Sequence, residues 1–398
     1  MIGISKLYCG TVEPGDVLRY RKAGRPAPAH LLQFDDEKKP VVVWNSTRRC
    51  NLRCVHCYSE SRDRDYAGEL TGEEARRLID DLADFGAPVL LFSGGEPLLR
   101  PDLFDLIAYA TGRGLRAVIS TNGTLIDEAT VGRLRDAGLA YVGVSLDGLG
   151  EVNDRFRGVP GAFGRALAGI RRCRDAGVKV GLRFTITRRN AGEVDGIFDL
   201  VRDERIPRVC FYHLVYAGRG TSLMEEDLDA AGTRRVIDTI INRTADLHAH
   251  HHGPEVLTVD NHADGPYLVL RMQREGHPRA ADALELLQMN QGNQSGRGIG
   301  CVSWDGAVHP DQFWRHVSLG NVRERPFSEI WTDTSHPLLA KLKDKRPHVT
   351  GRCAACRWLD VCGGNFRVRA EAATGDLWAP DPACYLTDEE IGLVGNDE

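Results

Sequence analysis

Between residues 40 and 216 the chain alternates two kinds of segment, a rhythm that few folds accept. "KPVVVWNST", "PVLLFSGGEP", "LRAVISTNG", "AYVGVSLDG", "VKVGLRFTIT" and "RVCFYHLVY" are short runs rich in β-branched and aromatic residues, as buried strands are. The intervening stretches carry helical periodicity. In "ELTGEEARRLIDDLADFG", Thr71 and Glu74 make a capping box, and Leu78, Ile79, Leu82 and Phe85 fall on one helical face. Repeated strand–helix–strand units predict a parallel sheet with right-handed crossovers, an α/β fold curled into a full or partial six-stranded barrel. The chain divides into an N-terminal extension (1–39), this barrel core (40–220), a helical and loop extension (221–345) and a cysteine-rich tail (346–398).

The residues with chemistry to offer gather where these strands end. A cysteine loop follows the first strand, and Gly94, Gly95 and Glu96 follow the second. Ser120, Thr121 and Asn122 end the third, Ser145 and Asp147 the fourth. Arg183 and Thr185 lie on the fifth, and His213 ends the sixth. In parallel α/β barrels that rim carries the chemistry. As plain structure, the glycines would make a tight turn and the serines would cap helices.

Eleven cysteines need an explanation. The "MIGISKLYCG" start lacks the marks of a signal peptide, no run of about 18 apolar residues predicts a membrane span, and a cytoplasmic protein with reduced thiols is expected. A net charge of −5 argues against a dedicated nucleic-acid binder. Cysteines in a reducing compartment, odd in number, suit metal sites better than disulfides. Cys50, Cys54 and Cys57 form one set; Cys353, Cys356, Cys362 and Cys384 form another. Three thiolates can hold three irons of a cubane and leave the fourth open to a small ligand, whereas the same three with His56 could close a zinc site. Four tail thiolates could hold either a second cubane or zinc. Cys301 between the sets is expected to fill core, and the His250–His252 run to be a solvated helix end.

"CNLRCVHC", with "GGEP", "STNGT" and "SLDG", resembles the radical S-adenosylmethionine (SAM) superfamily over residues 40–220. The resemblance implies that Cys50, Cys54 and Cys57 hold a [4Fe-4S] cluster whose open iron chelates SAM, so that the absent fourth thiol leaves room for the cofactor. It implies that Gly94 and Gly95 approach SAM through bare backbone, that Glu96 meets its ammonium, and that Ser120, Asn122 and Ser145 meet its carboxylate or ribose. One electron would then cleave SAM to a deoxyadenosyl radical. The C-x2-C-x5-C tail with Cys384 resembles the SPASM (Twitch-like) extension of radical SAM maturases and implies a second, auxiliary [4Fe-4S] cluster. Asp311 and Phe366 stand where a further cluster would want cysteine, so one auxiliary cluster is expected.

A closer resemblance runs through "MIGISKLYCGTVEPGD", "VCFYHLVYAGRG", "TVDNHADGPY", "QFWRHVSLGNVRERPFSEIW" and "GRCAACRWLDVCGGNFRVRA". It is to the radical SAM enzymes of tetrapyrrole biosynthesis. It implies an iron tetrapyrrole substrate, a low-potential donor of ferredoxin or flavodoxin type, and removal of two acetate arms from didecarboxysirohaem to give Fe-coproporphyrin III. Propionate removal from the same substrate on the haem d1 route, haem b synthesis and peptide maturation remain rivals. A polycarboxylate around iron wants cationic forks and iron ligands. Arg183, His213, Arg219, His262, His309, Arg315 and His316 are the candidates, each of which could equally be a structural ion pair or a satisfied histidine.

Overall fold

The computed structural model describes residues 1–20, 39–249 and 253–393; the His250–His252 run lies outside them. Eleven strands form one sheet: β1 (Ile2–Gly3), β2 (Val41–Thr47), β3 (Leu90–Gly94), β4 (Ala117–Thr121), β5 (Tyr141–Ser145), β6 (Val180–Ile186), β7 (Arg208–His213), β8 (Glu255–Val259), β9 (Ile299–Val302), β10 (Ala307–His309) and β11 (Gly320–Asn321). The six expected strands are β2 to β7, all parallel and in sequence order across the sheet. The full order is β1-β8-β7-β6-β5-β4-β3-β2-β9-β10-β11, so the sheet stays open at β1 and β11, as a partial barrel does.

The structure adds strands that the sequence did not reveal. β8 extends the parallel run beyond β7, and β9 extends it beyond β2. Both belong to the 221–345 stretch read as helix and loop. All five residues of β8 are buried, so it shows no polar alternation, and the polar residues after it masked its end. β1, from the N-terminal extension, pairs antiparallel with β8; two residues are too few to carry a period. β10 and β11 close the other edge as an antiparallel pair.

Packing fixes the rim. Helix Gly72–Phe85 begins with the expected capping box and buries Ala75, Leu78, Ile79 and Leu82. Helix Val194–Asp203 stacks Phe198 on Phe211 of β7 at 5.2 Å, and Phe184 of β6 meets the same ring edge-on at 5.8 Å. Such pairs add about 0.5–1.5 kcal/mol each beyond the buried area and hold the β6–β7 ends rigid. Within the tail, Arg369 and Asp381 form a two-bond ion pair with no solvent exposure on either side chain. Arg369 also donates to the Leu214 carbonyl just beyond β7, at 2.9 Å. Among the described residues no helix is long and apolar enough to cross a membrane.

Candidate active site

Cys50, Cys54 and Cys57 line one cavity of about 1060 Å³, counted to its open mouth at the carboxyl ends of the strands. Their loop is held by backbone bonds that cross between distant segments: Cys50 N–H to Arg62 O, Val55 N–H to Phe156 O, and Arg219 N–H to Cys57 O. Donors surround the sulfurs. Leu52 N–H reaches Cys50 Sγ at 3.4 Å, Arg157 reaches Cys54 Sγ at 3.6 Å, and Ser59 Oγ lies 3.3 Å from Cys57 Sγ. Burial pushes the Cys50 and Cys54 thiols upward, Cys50 further through the Cys54 charge beside it. Bare thiolates are therefore unfavourable here. Iron bound to them removes that cost, while the N–H···S contacts suit a cluster's sulfurs. The donor set fits a cubane held by three cysteines.

The two glycines pack against the chain that enters the cysteine loop. A Cβ on Gly94 would lie 2.2 Å from the Thr47 carbonyl, and one on Gly95 would lie 2.1 Å from the Arg49 carbonyl. Their bare Cα atoms are thus needed on the side facing the chain that enters the cysteine loop. Gly94, at φ +127°, also takes a backbone conformation that side chains resist. Both glycines still line the cavity. Glu96 does not. It is fully buried, and its carboxylate accepts from Thr121 Oγ1 at 2.7 Å, Asn122 N–H at 2.8 Å and Leu98 N–H at 3.1 Å. Burial pushes it up to about 7 against the pull of those donors. It braces the β3 and β4 ends together.

Ser120, Asn122 and Ser145 all line the cavity. The amide of Asn122 is engaged, donating to Asn51 Oδ1 at 2.8 Å and reaching Cys50 Sγ at 3.9 Å. The opposite wall holds Arg183, Tyr212, His213 and Asp260. Arg183 lies over the Tyr212 ring at 4.7 Å. His213 Nε2 is 2.9 Å from Asp264 Oδ2. Sequence reasoning missed Asp260. Its backbone sits at φ +68°, rare for a non-glycine residue, and burial pushes its carboxyl up to about 7. It also missed Tyr58, whose hydroxyl donates to Asn45 Oδ1 at 2.9 Å and whose ring meets Phe313 edge-on at 5.3 Å. Tyr58 and Phe313 stand between this cavity and a second of about 940 Å³, lined by Arg315 and His316.

Three of the seven substrate candidates lie outside both cavities. Arg219 clamps the cysteine loop, donating to Cys54 O at 2.8 Å and Ser61 O at 3.1 Å. His309 is satisfied by Ser303 Oγ at 2.9 Å and Val317 O at 2.6 Å. His262 is buried against the N-terminal amine and stacks near Phe366. Arg219 and His309 answer to the structural alternative, because fixing a loop or filling a core uses the polar atoms a ligand would need, while His262 keeps a buried Nδ1 without a partner among the described residues.

The four tail thiols are neighbours. Burial pushes Cys362 well up, and the charges of Cys384, Cys353 and Cys356 push it further. Among the described residues no group of three His, Cys, Asp or Glu side chains is drawn in tightly enough to hold a single metal ion. Cys301 is apart from both sets, buried on β9 and accepting from Asn45 Nδ2 at 3.4 Å, as core filling.

Comparison with known proteins agrees with this layout. The radical SAM superfamily model matches residues 44–201, and the SPASM iron–sulfur cluster-binding domain matches residues 295–357. The chain is 62% identical over 395 residues to Fe-coproporphyrin III synthase of Methanosarcina barkeri, covering 98% of this chain and 99% of that one. It is 46% identical to pre-heme d1 synthase of Dinoroseobacter shibae, covering 89% and 88%. SuiB of Streptococcus suis bound to its precursor peptide SuiA shares the fold, with a TM-score of 0.70 at 18% identity over 90% of this chain and 79% of that one. A three-thiol rim, a four-thiol tail and near full-length identity converge, and the chain belongs to the radical SAM superfamily with a SPASM domain, in the family that includes Fe-coproporphyrin III synthase and pre-heme d1 synthase.

Proposed function

We propose that this protein forms Fe-coproporphyrin III from didecarboxysirohaem by removing two acetate arms from saturated ring carbons. The observation that carries the reading is the 62% identity to Fe-coproporphyrin III synthase across nearly the whole of both chains, against 46% to pre-heme d1 synthase. Cys50, Cys54 and Cys57 would hold the SAM-binding [4Fe-4S] cluster, and Cys353, Cys356, Cys362 and Cys384 the auxiliary one. When bound and reduced, the first cluster with SAM supplies a deoxyadenosyl radical, able to start carbon–carbon cleavage that acid–base groups cannot.

The chain's own residues do the rest. Gly94 and Gly95 let the cysteine loop close against β3. Ser120 and Ser145 line the cavity, and their hydroxyls make no hydrogen bond with the described residues, so both are open to SAM. Asn122 holds the cysteine loop in place while lining the same cavity. Arg183 offers a cation to a substrate carboxylate from the far wall, and Arg315 offers another in the adjoining cavity. Tyr58, Phe313 and Tyr212 give flat apolar faces for a macrocycle and keep water from the radical step. The electron donor is a ferredoxin or flavodoxin type protein, and the site of action is the cytoplasm.

Anaerobic incubation of the reduced protein with SAM and iron didecarboxysirohaem, followed by mass analysis of the tetrapyrrole, tests this. Loss of acetates with propionates kept is expected. Loss of propionates with gain of oxo groups would place the chain on the haem d1 route, and vinyl products would make it a haem synthase.

A further inference from the structure

We propose that His213 is the protein ligand to the iron of the tetrapyrrole substrate, held in place by Asp264 and Tyr385; this rests on the substrate reading above. His213 closes β7 and lines the main cavity. Behind it runs a buried polar chain: Nε2 is 2.9 Å from Asp264 Oδ2, and Asp264 Oδ1 accepts from the Tyr385 hydroxyl at 2.8 Å. Asp264 has no solvent exposure, and Tyr385 is 3% exposed. With the Asp264 carboxylate accepting, Nε2 carries the ring proton and the Nδ1 lone pair is left. Among the described residues Nδ1 makes no hydrogen bond.

A carboxylate behind an imidazole is the arrangement that metal-binding histidines use. It fixes the tautomer, stops the ring from turning and raises its basicity toward the metal. A fold has no need of such a chain for stability, since apolar side chains of similar size do as well or better in a core. Both cluster sites are supplied with thiols, so this imidazole is not required by either. The substrate's iron is the remaining metal.

The other cavity histidine does not compete. His56 lies between Cys54 and Cys57 in the thiol loop, and its Nε2 is 3.7 Å from Asp147, beyond hydrogen-bonding reach, so no carboxylate fixes its tautomer. It belongs to the floor under the thiols. His213 stands five strands along the sheet from the strand that leads into the thiol loop, on the wall shared with Arg183 and Tyr212. An iron held there places the macrocycle beside a cation for its carboxylates and an aromatic face for its ring.

The test uses the reconstituted holoprotein, ferric Fe-coproporphyrin III and metal-free coproporphyrin III, without SAM. Wild type should bind both, and the iron form should show the absorption and electron paramagnetic resonance of a nitrogen-ligated haem. His213→Ala should bind metal-free coproporphyrin as wild type does, give the spectrum of water-ligated iron, and recover the wild-type spectrum on adding imidazole. Asp264→Asn should weaken binding of the iron form about tenfold and lower the ferrous iron–imidazole stretching frequency. Identical iron spectra for wild type and His213→Ala overturn the proposal and leave the substrate reading standing. Equal loss of both porphyrins in His213→Ala overturns it too, by showing that the ring serves packing. If wild type binds neither porphyrin, the substrate reading fails and the proposal with it.

Discussion

Asp260 lines the cavity that holds Cys50, Cys54 and Cys57. It follows β8, sits in left-handed backbone and presents a buried carboxyl to a cavity proposed to take a polycarboxylate. Burial raises it to about 7; Asp311 adds to the rise, while the N-terminal amine, Arg369 and Arg183 oppose it. Because the folded value exceeds the unfolded one of about 4, its contribution to stability is full below about 4 and is lost as pH rises to about 7. Binding should follow the same direction, since the ionised form repels the ligand's carboxylates. Affinity for Fe-coproporphyrin III should fall as pH rises through 7, and Asp260→Asn should flatten that step. A titration by fluorescence quenching at several pH values measures it, and an unchanged step in Asp260→Asn would remove Asp260 as its cause. Nothing in "TVDNHADG" announces this, because both the backbone conformation and the burial depend on partners far along the chain. Cys50, Cys54 and Cys57 were legible as a set for the opposite reason: their spacing falls within a few residues. Glu96 was legible as important, and the structure gives it a bracing role between β3 and β4.

At the scale of elements, β2 to β7 were readable because each is a short apolar run next to a helix with its own period. β8, β9 and β1 were not. Their identity comes from pairing with strands already in place, which local sequence does not encode. The tail is the element most exposed to a single change. Arg369 and Asp381 have no exposure, and Asp381 also accepts from Phe366 N–H and Ala383 N–H, the residue before Cys384. Removing one partner leaves a buried charge alone, at about 3–5 kcal/mol. Asp381→Ala should lower the unfolding midpoint and lose the auxiliary iron selectively. Denaturant unfolding with iron analysis checks it; full iron retention at unchanged stability would mean that the ion pair does not hold the tail. Gly95→Ala should act on the other site. Its Cβ would collide with the Arg49 carbonyl at 2.1 Å and displace the cysteine loop, so SAM cleavage should fall by orders of magnitude while the tail keeps its iron.

For the molecule as a whole, two thiol sets occupy one sheet's rim and the tail bolted beside it. The reconstituted protein should hold about eight irons, four per cubane. Cys356→Ala should lose about half and still cleave SAM; one zinc per chain in the tail would refute the second cluster. On the proposed function, a radical made in the thiol-lined cavity removes acetate from an iron tetrapyrrole. The most direct measurement is the acetate and deoxyadenosine released per Fe-coproporphyrin III formed from iron didecarboxysirohaem. Two acetates and at least two deoxyadenosines are expected for each porphyrin, and none of the three products from Cys54→Ala. Deoxyadenosine formed in quantity while the acetate arms stay on the ring would contradict it.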